Sequence, residues 1–226
     1  MNKKDIYFEL RRRICLLDYQ PGARLNEREL ASEFNISRTP MRSILQKLEH
    51  NGLIASQHGN GTIVTWIDLK SMRDIYIVRM RLMDAMGDST PAPRCQTVLE
   101  KMRELEARCD AMLVKQDKRE FAQVLLHLHT ILHGLANNAV LKEINDTLFF
   151  QSARFWFLLL DRVNFRVQVK DLRQEIRTLQ QSLEIGDVNH INDVKLTATI
   201  HKTYLGVVVS RLDAIEAEGG VLFEAK

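Results

Sequence analysis

The sequence is poor in cysteine, proline and glycine, with three Cys, four Pro and ten Gly in 226 residues. Cys15, Cys95 and Cys109 are odd in number and far apart, with no CxxC or CxxH pair. That argues against a disulfide framework or a structural zinc site and for inert thiols in a reducing compartment. No apolar run approaches the roughly 20 residues that span a bilayer; the densest is 155–160. Arg11, Arg12 and Arg13 break any apolar stretch near the start, so no secretory leader and no membrane partner are expected. HExxH, GxSxG and phosphate-loop patterns are missing, which leaves little ground for an enzyme. With 45% hydrophobic and 27% charged residues, the chain reads as a soluble, cytoplasmic protein with a real core.

Net charge is also small, at +3, but it is unevenly placed. Residues 1–66 hold ten Lys and Arg against seven acids, so the whole excess lies in the first third. Residues 67–226 carry 22 charges of each sign. A polyanion is therefore the expected partner of the first region.

That region predicts three short helices and a hairpin. Ile6, Leu10, Ile14 and Leu17 recur at helical spacing, and Pro21-Gly22 brings a turn. Asn26, with Glu29 three residues on, predicts a reciprocal capping box for a second helix. After a tight turn at Asn35 and Ile36, Ser37 is expected to cap a third helix, whose first turn accommodates Pro40. Met41, Ile44, Leu45 and Leu48 form its buried stripe. Leu53 to Ala55 and Thr62 to Thr65 are β-prone and flank a hairpin tip containing His58, Gly59 and Gly61. Three helices and a hairpin make a winged helix-turn-helix. Residues 67–226 predict six helices, near 68–88, 94–116, 118–137, 140–160, 169–185 and 188–217. The third is apolar nearly all round and is expected at the centre of an antiparallel bundle. The fold class is thus mainly α, in two domains, 1–66 and 67–226.

Opposite the apolar stripe of the third helix, Arg38, Arg42 and Gln46 recur every four residues, with Ser37 and Thr39 at the helix start. A helix start offers free N–H groups to phosphate, and arginines one turn apart can reach guanine edges in a major groove. The run Leu25 to Ala31, then Phe34, Ser37 to Arg42, Leu48 to Ile54, and His58, Gly59 and Gly61, resembles the GntR family of bacterial transcription regulators. The resemblance covers nearly all of residues 6–66. It implies operator DNA contacts from Arg28, Ser37, Arg38, Thr39 and Arg42, and from His58 and Gly59 on the wing.

The helical remainder resembles the FadR branch, whose C-terminal FCD-type bundle binds a small effector; six helices rather than seven suggest the VanR-like subgroup. Tyr76 to Leu82 is similar to the branch's first bundle helix, in which an Arg, here Arg79, points into the cavity. His129 followed by Asn138, and Gly186-Asp187 followed by His201, resemble its later landmarks. The branch builds a metal site there from an Asp and three His, suited to a zinc-like or nickel-like ion. This sequence departs from it: the Asp position is Leu125, and the fifth-helix His falls near Ile176. Three readings stand. Arg79, His129 and His201 hold an anionic effector without metal; or His129, His133 and His201 form a displaced metal site; or the histidines are core residues. Arg79 has its own alternative, pairing with Asp74 or Asp84 on a solvated face, and Arg154 is a weaker candidate.

The resemblance implies a homodimeric regulator whose operator affinity answers to a small, carboxylate-bearing effector, a repressor among the outcomes. Two alternatives remain: a regulator that has lost sensing, and an enzyme built on the histidines. The latter is weakened because neither His129 nor His201 has an obvious acid partner in the sequence.

Overall fold

In a computed structural model, the described residues are 2–57, 61–66, 68–90, 97–160, 163–185 and 191–217. The side chains of 156, 185 and 191–193 are likewise outside the description. The chain divides into two compact units, Met1–Asp68 and Leu69–Leu222.

The N-terminal unit contains α1 (Lys3–Cys15), β1 (Arg24–Leu25), α2 (Glu27–Glu33), α3 (Arg38–His50), β2 (Ile54–Gln57) and β3 (Gly61–Val64). Ile6, Leu10 and Ile14 of α1 meet Met41 and Leu48 of α3, all at 0% exposure. Each such side chain contributes about 1.5–3 kcal/mol through burial. β3 pairs antiparallel with β2 through Ile54–Val64 and Ala55–Ile63. On its other edge it pairs with β1, giving the order β1-β3-β2. The two-residue β1 was not anticipated, because a pair this short shows no alternation.

All three helices end alike. Asp18 N–H reaches back to Arg13 C=O, Ile36 N–H to Ala31 C=O, and Leu53 N–H to Leu48 C=O. Between them, Leu17, Asn35 and Gly52 take positive φ, at 58°, 52° and 70°. This is the Schellman ending, which satisfies orphan carbonyls and turns the chain sharply. At Asn35 it sets the turn of the helix-turn-helix. Two capping expectations need correction. Ser37 occupies the N-cap position of α3 but makes no side-chain capping bond. At α2, Asn26 accepts from the Arg28 and Glu29 N–H groups, while its own Nδ2 donates to the Glu29 carboxylate rather than leaving Glu29 to reach backbone. The reciprocal box is found instead at Asn2 and Asp5 of α1.

The C-terminal unit contains α4 (Leu69–Gly87), α5 (Thr97–Val114), α6 (Lys118–Leu135), α7 (Ala139–Leu159), α8 (Phe165–Ile185) and α9 (Ile191–Ala217). α4 lies along α9 and α5 along α8. α6 packs against both α5 and α7, and short connections turn the chain back on itself there. One core joins Met102, Leu105 and Met112 of α5, Phe121, Val124 and Leu128 of α6, and Val169, Leu172 and Leu179 of α8. The expectation that α6 is the buried centre fails, since His127, Thr130 and Gly134 line an exposed strip of it. Two polar residues and a glycine were outvoted in the sequence by leucines on the opposite face. No described helix is long and apolar enough to cross a membrane.

The positive-φ positions give a stability test with opposite signs. Gly52→Ala should destabilise the N-terminal unit by about 1–2 kcal/mol, and Leu17→Gly should relieve a left-handed strain of similar size. Urea titration read by hydrogen exchange in α3 measures both.

Candidate nucleic-acid interface and buried cavity

The apolar stripe of α3, Met41, Ile44, Leu45 and Leu48, faces the core. The helical period therefore sends Arg38, Arg42 and Gln46 to solvent, with Ser37 and Thr39 exposed at the helix start. The Ser37 hydroxyl is not spent on a cap, so the first-turn N–H groups and the hydroxyl all stand open. Arg28 of α2 is exposed beside them. Among the described residues, neither Arg28 nor Arg38 engages a carboxylate. Arg42 does: its Nε donates to Glu27 Oε2 of α2 at 3.2 Å. So exposed a pair contributes little stability, but it tilts the guanidinium toward α2. The Ser56 N–H of β2 donates to Glu49 Oε1 at 2.7 Å, which ties the wing to the end of α3. His58 and Gly59, expected at the wing tip, lie outside the described residues.

The C-terminal unit encloses a cavity between α4, α6, α7, α8 and α9, with an empty volume of about 780 Å³ including solvent at its mouth. Phe121, Leu125, Leu128, Phe149 and Leu205 make it mostly apolar. Arg79 enters from α4 at 3% exposure, which overturns the solvated-face alternative. Asp84, one partner considered for it, binds Lys202 instead. The Arg79 guanidinium sits over the rings of Tyr76 and Phe149, 5.2 and 5.1 Å from their centroids. Its Nη1 donates to Ser152 Oγ at 3.3 Å, while its buried Nε has no partner. Burial lowers its pKa, opposed by Tyr76 and by Glu175 nearby.

His129 and His201 line the same cavity, and each has an acid partner that the sequence did not reveal. His129 Nε2 donates to Asp146 Oδ1 of α7 at 3.1 Å. The ring lies flat on Phe149, with centroids 3.7 Å apart and planes 3° apart. Burial pushes its pKa down to about 3 against the opposing pull of Asp146, so the contact is a hydrogen bond from a neutral ring. His201 Nδ1 donates to Glu175 Oε1 of α8 at 2.5 Å. Glu175, rather than its neighbour Ile176, lines the cavity from α8. Ile176 is fully buried in the α5–α6–α8 core. The displaced three-histidine site is not assembled, because His133 Nε2 is turned to the Lys142 carbonyl at 3.0 Å. Among the described residues, no three His, Cys, Asp or Glu side chains converge as metal ligands. Arg154 is buried at 2% but does not line the cavity. Cys15 and Cys109 are buried and not disulfide-bonded, and burial pushes the Cys109 thiol up to about 12. Cys95 lies outside the described residues.

Residues 2–64 match the model of the bacterial regulatory proteins of the gntR family, and residues 74–189 match the FCD domain. The chain belongs to the GntR family, in its FCD-bearing branch. The FCD match includes Arg79 and His129 but stops short of His201. This GntR regulator is 27% identical over 224 residues to an HTH-type transcriptional regulator in an unstable DNA locus of Streptomyces ambofaciens, covering 98% of this chain and 89% of that protein. It is 24% identical over 182 residues to the gluconate operon transcriptional repressor of Bacillus subtilis, covering 80% and 72% of the two chains. Its fold is similar to a GntR regulator from Rhodococcus sp. RHA1, with TM-score 0.70, 17% identity and coverage of 94% and 97%. Escherichia coli McbR/YncC is similar too, with TM-score 0.69, 17% identity and the same coverage. The chain is thus a GntR-type transcriptional regulator. Sequence reading missed Glu27, Asp146 and Glu175, whose partners are 15, 17 and 26 residues away, beyond any local spacing rule.

The neutral His129 ring predicts acid sensitivity. A histidine whose folded pKa lies below its unfolded value leaves stability unaffected above about pH 6.5, and stability is lost as pH falls toward the folded value. Between about pH 6.5 and pH 5 the loss should be about 1.5 kcal/mol. His129→Gln should flatten the urea midpoint against pH over that window; an unchanged slope would show that His129 is not held neutral.

Proposed function

We propose that this regulator binds operator DNA as a homodimer through Arg28, Ser37, Arg38, Thr39 and Arg42 of each copy, with His58 and Gly59 on the wing. A small effector bearing an anionic group modulates that affinity from the α4–α9 cavity. Support for the DNA contacts comes from the exposed arginine row at the open start of α3, on a helix-turn-helix matched to the gntR family. Two copies are favoured by charge. A +3 unit neutralises few phosphates, so a single copy binds weakly and with strong salt dependence. Joining two raises the effective concentration of the second.

The observation that carries the effector reading is Arg79, a buried guanidinium with an unpartnered Nε inside an apolar cavity. A carboxylate is the group that such a fork recognises best. The loss-of-sensing alternative would leave this donor with no use. The enzymatic alternative gains two histidine–acid couples, but it gains no nucleophile placed against either. Turnover of a substrate by the purified chain would replace the present reading with that one.

Mobility shifts on DNA from upstream of the chain's own gene test both halves. Arg38→Ala or Arg42→Ala should weaken specific binding by about 5- to 150-fold. Arg79→Met should leave DNA affinity intact and abolish the response to a panel of small organic acids. Retained response in Arg79→Met would remove Arg79 from effector binding.

A further inference from the structure

We infer that the cavity receives its anionic ligand directly on Arg79 and His201, with no metal ion between protein and ligand. This rests on the effector reading above. The resemblance to the FadR branch implies a metal held by one Asp and three His, and the donors present here do not make that set.

Position 125, four residues before His129 on the same face of α6, holds leucine, an apolar cavity wall. α8 brings Glu175 to the cavity in place of a histidine, and that carboxylate already accepts from His201 Nδ1. His129 is clamped flat on Phe149 with Nε2 given to Asp146. Histidine–carboxylate couples also orient imidazoles that bind metals, so the couples alone decide nothing. The donor count decides, because no three ligating side chains meet among the described residues. Charge points the same way. An acidic ligand at position 125 would offset a divalent ion beside the buried guanidinium of Arg79, and leucine cannot. The other acid lining the cavity, Asp171, is engaged by Arg211.

What remains suits an organic anion. Arg79 offers an unpartnered N–H from the α4 side. His201 gives Nδ1–H to Glu175, and as the imidazolium of that pair it has a second N–H, at Nε2, to donate to an anion. The walls between are apolar. The ligand class is therefore a small organic acid with one anionic group on a largely apolar body.

The test uses the full chain with zinc or nickel alone. The chain is loaded with each ion, desalted, assayed for metal by mass spectrometry and melted. Retention well below one ion per chain and an unshifted melting temperature are expected, since a ligand specific for the native state would raise it. One ion per chain, lost in both His129→Ala and His201→Ala, would overturn the inference. An ion retained in both variants sits elsewhere and leaves it standing. Leu125→Asp combined with Glu175→His should restore the donor set and gain one ion per chain. If that double variant folds and gains none, positions 125 and 175 are not what removed the metal, and the argument from them fails. Failure of the effector reading would look different: a metal-free chain whose DNA binding answers to no organic acid.

Discussion

A guanidinium at 3% exposure, with no carboxylate hydrogen-bonded to it, governs the C-terminal unit. Burying an unpaired cation is costly, and proteins usually offset the cost with a bonded acid. Here Arg79 is offset piecemeal. Two aromatic rings lie beside it, Ser152 and the Tyr76 hydroxyl each accept a bond, and Glu175 supplies a field without direct contact. Cation–π contacts and neutral hydrogen bonds are each worth about 0.5–2 kcal/mol, less than the desolvation of a buried cation. The cavity therefore holds a cation whose burial is only partly offset. Its neutral wall histidine, its stacked Phe149 and its two His–acid couples all follow from arranging a site around a charge that nothing in the protein fully neutralises.

The N-terminal unit solves a different problem. It must fix three short helices and a hairpin around a core of only 17 buried hydrophobic side chains among the described residues. Three Schellman endings spend no length on loops, so the helices meet at fixed angles while their apolar stripes close on one another. Glu49, bonded to the Ser56 amide, links the wing to the same helix that carries Arg38 and Arg42. α3 and the wing are thereby held in one frame, and Ser37 leaves the start of α3 without a side-chain cap.

How much of this the sequence disclosed depends on range. Stripes such as Met41-Ile44-Leu45-Leu48 repeat within one helix, so helix placement and the exposed arginines could be read directly. Breaks at Asn35 and Gly52 were legible because those residue types tolerate positive φ. Leu17 was not, because leucine at that φ runs against its own preference and is imposed by the ending around it. The acids of the cavity were hidden for another reason. Asp146 and Glu175 meet their histidines only after helices from different parts of the chain pack together. A one-residue shift in helical phase also separated Glu175, which faces the cavity, from Ile176, which fills the core.

The placement of Arg79 bears on how a bound anion could be felt elsewhere. A ligand shifts an equilibrium only by distinguishing its states, so what α4 can do on binding matters. α4 is tied to α9 by Arg73 with Asp213 and by Asp84 with Lys202, which bracket Arg79 along the helix. These are exposed or half-exposed pairs, worth about 0–1 kcal/mol each and easily exchanged for water. The apolar contacts are not so easily exchanged. Met72, Tyr76 and Met83 of α4 are each at 2% exposure, and exposing them would cost several times as much. α4 therefore cannot peel from the bundle to meet a ligand. Its apolar packing and its two surface pairs thus tie α4 to α9 along their length. Arg79 of α4 and His201 and Arg211 of α9 thus line the cavity from this one pair of packed helices, while His129 lines it from α6.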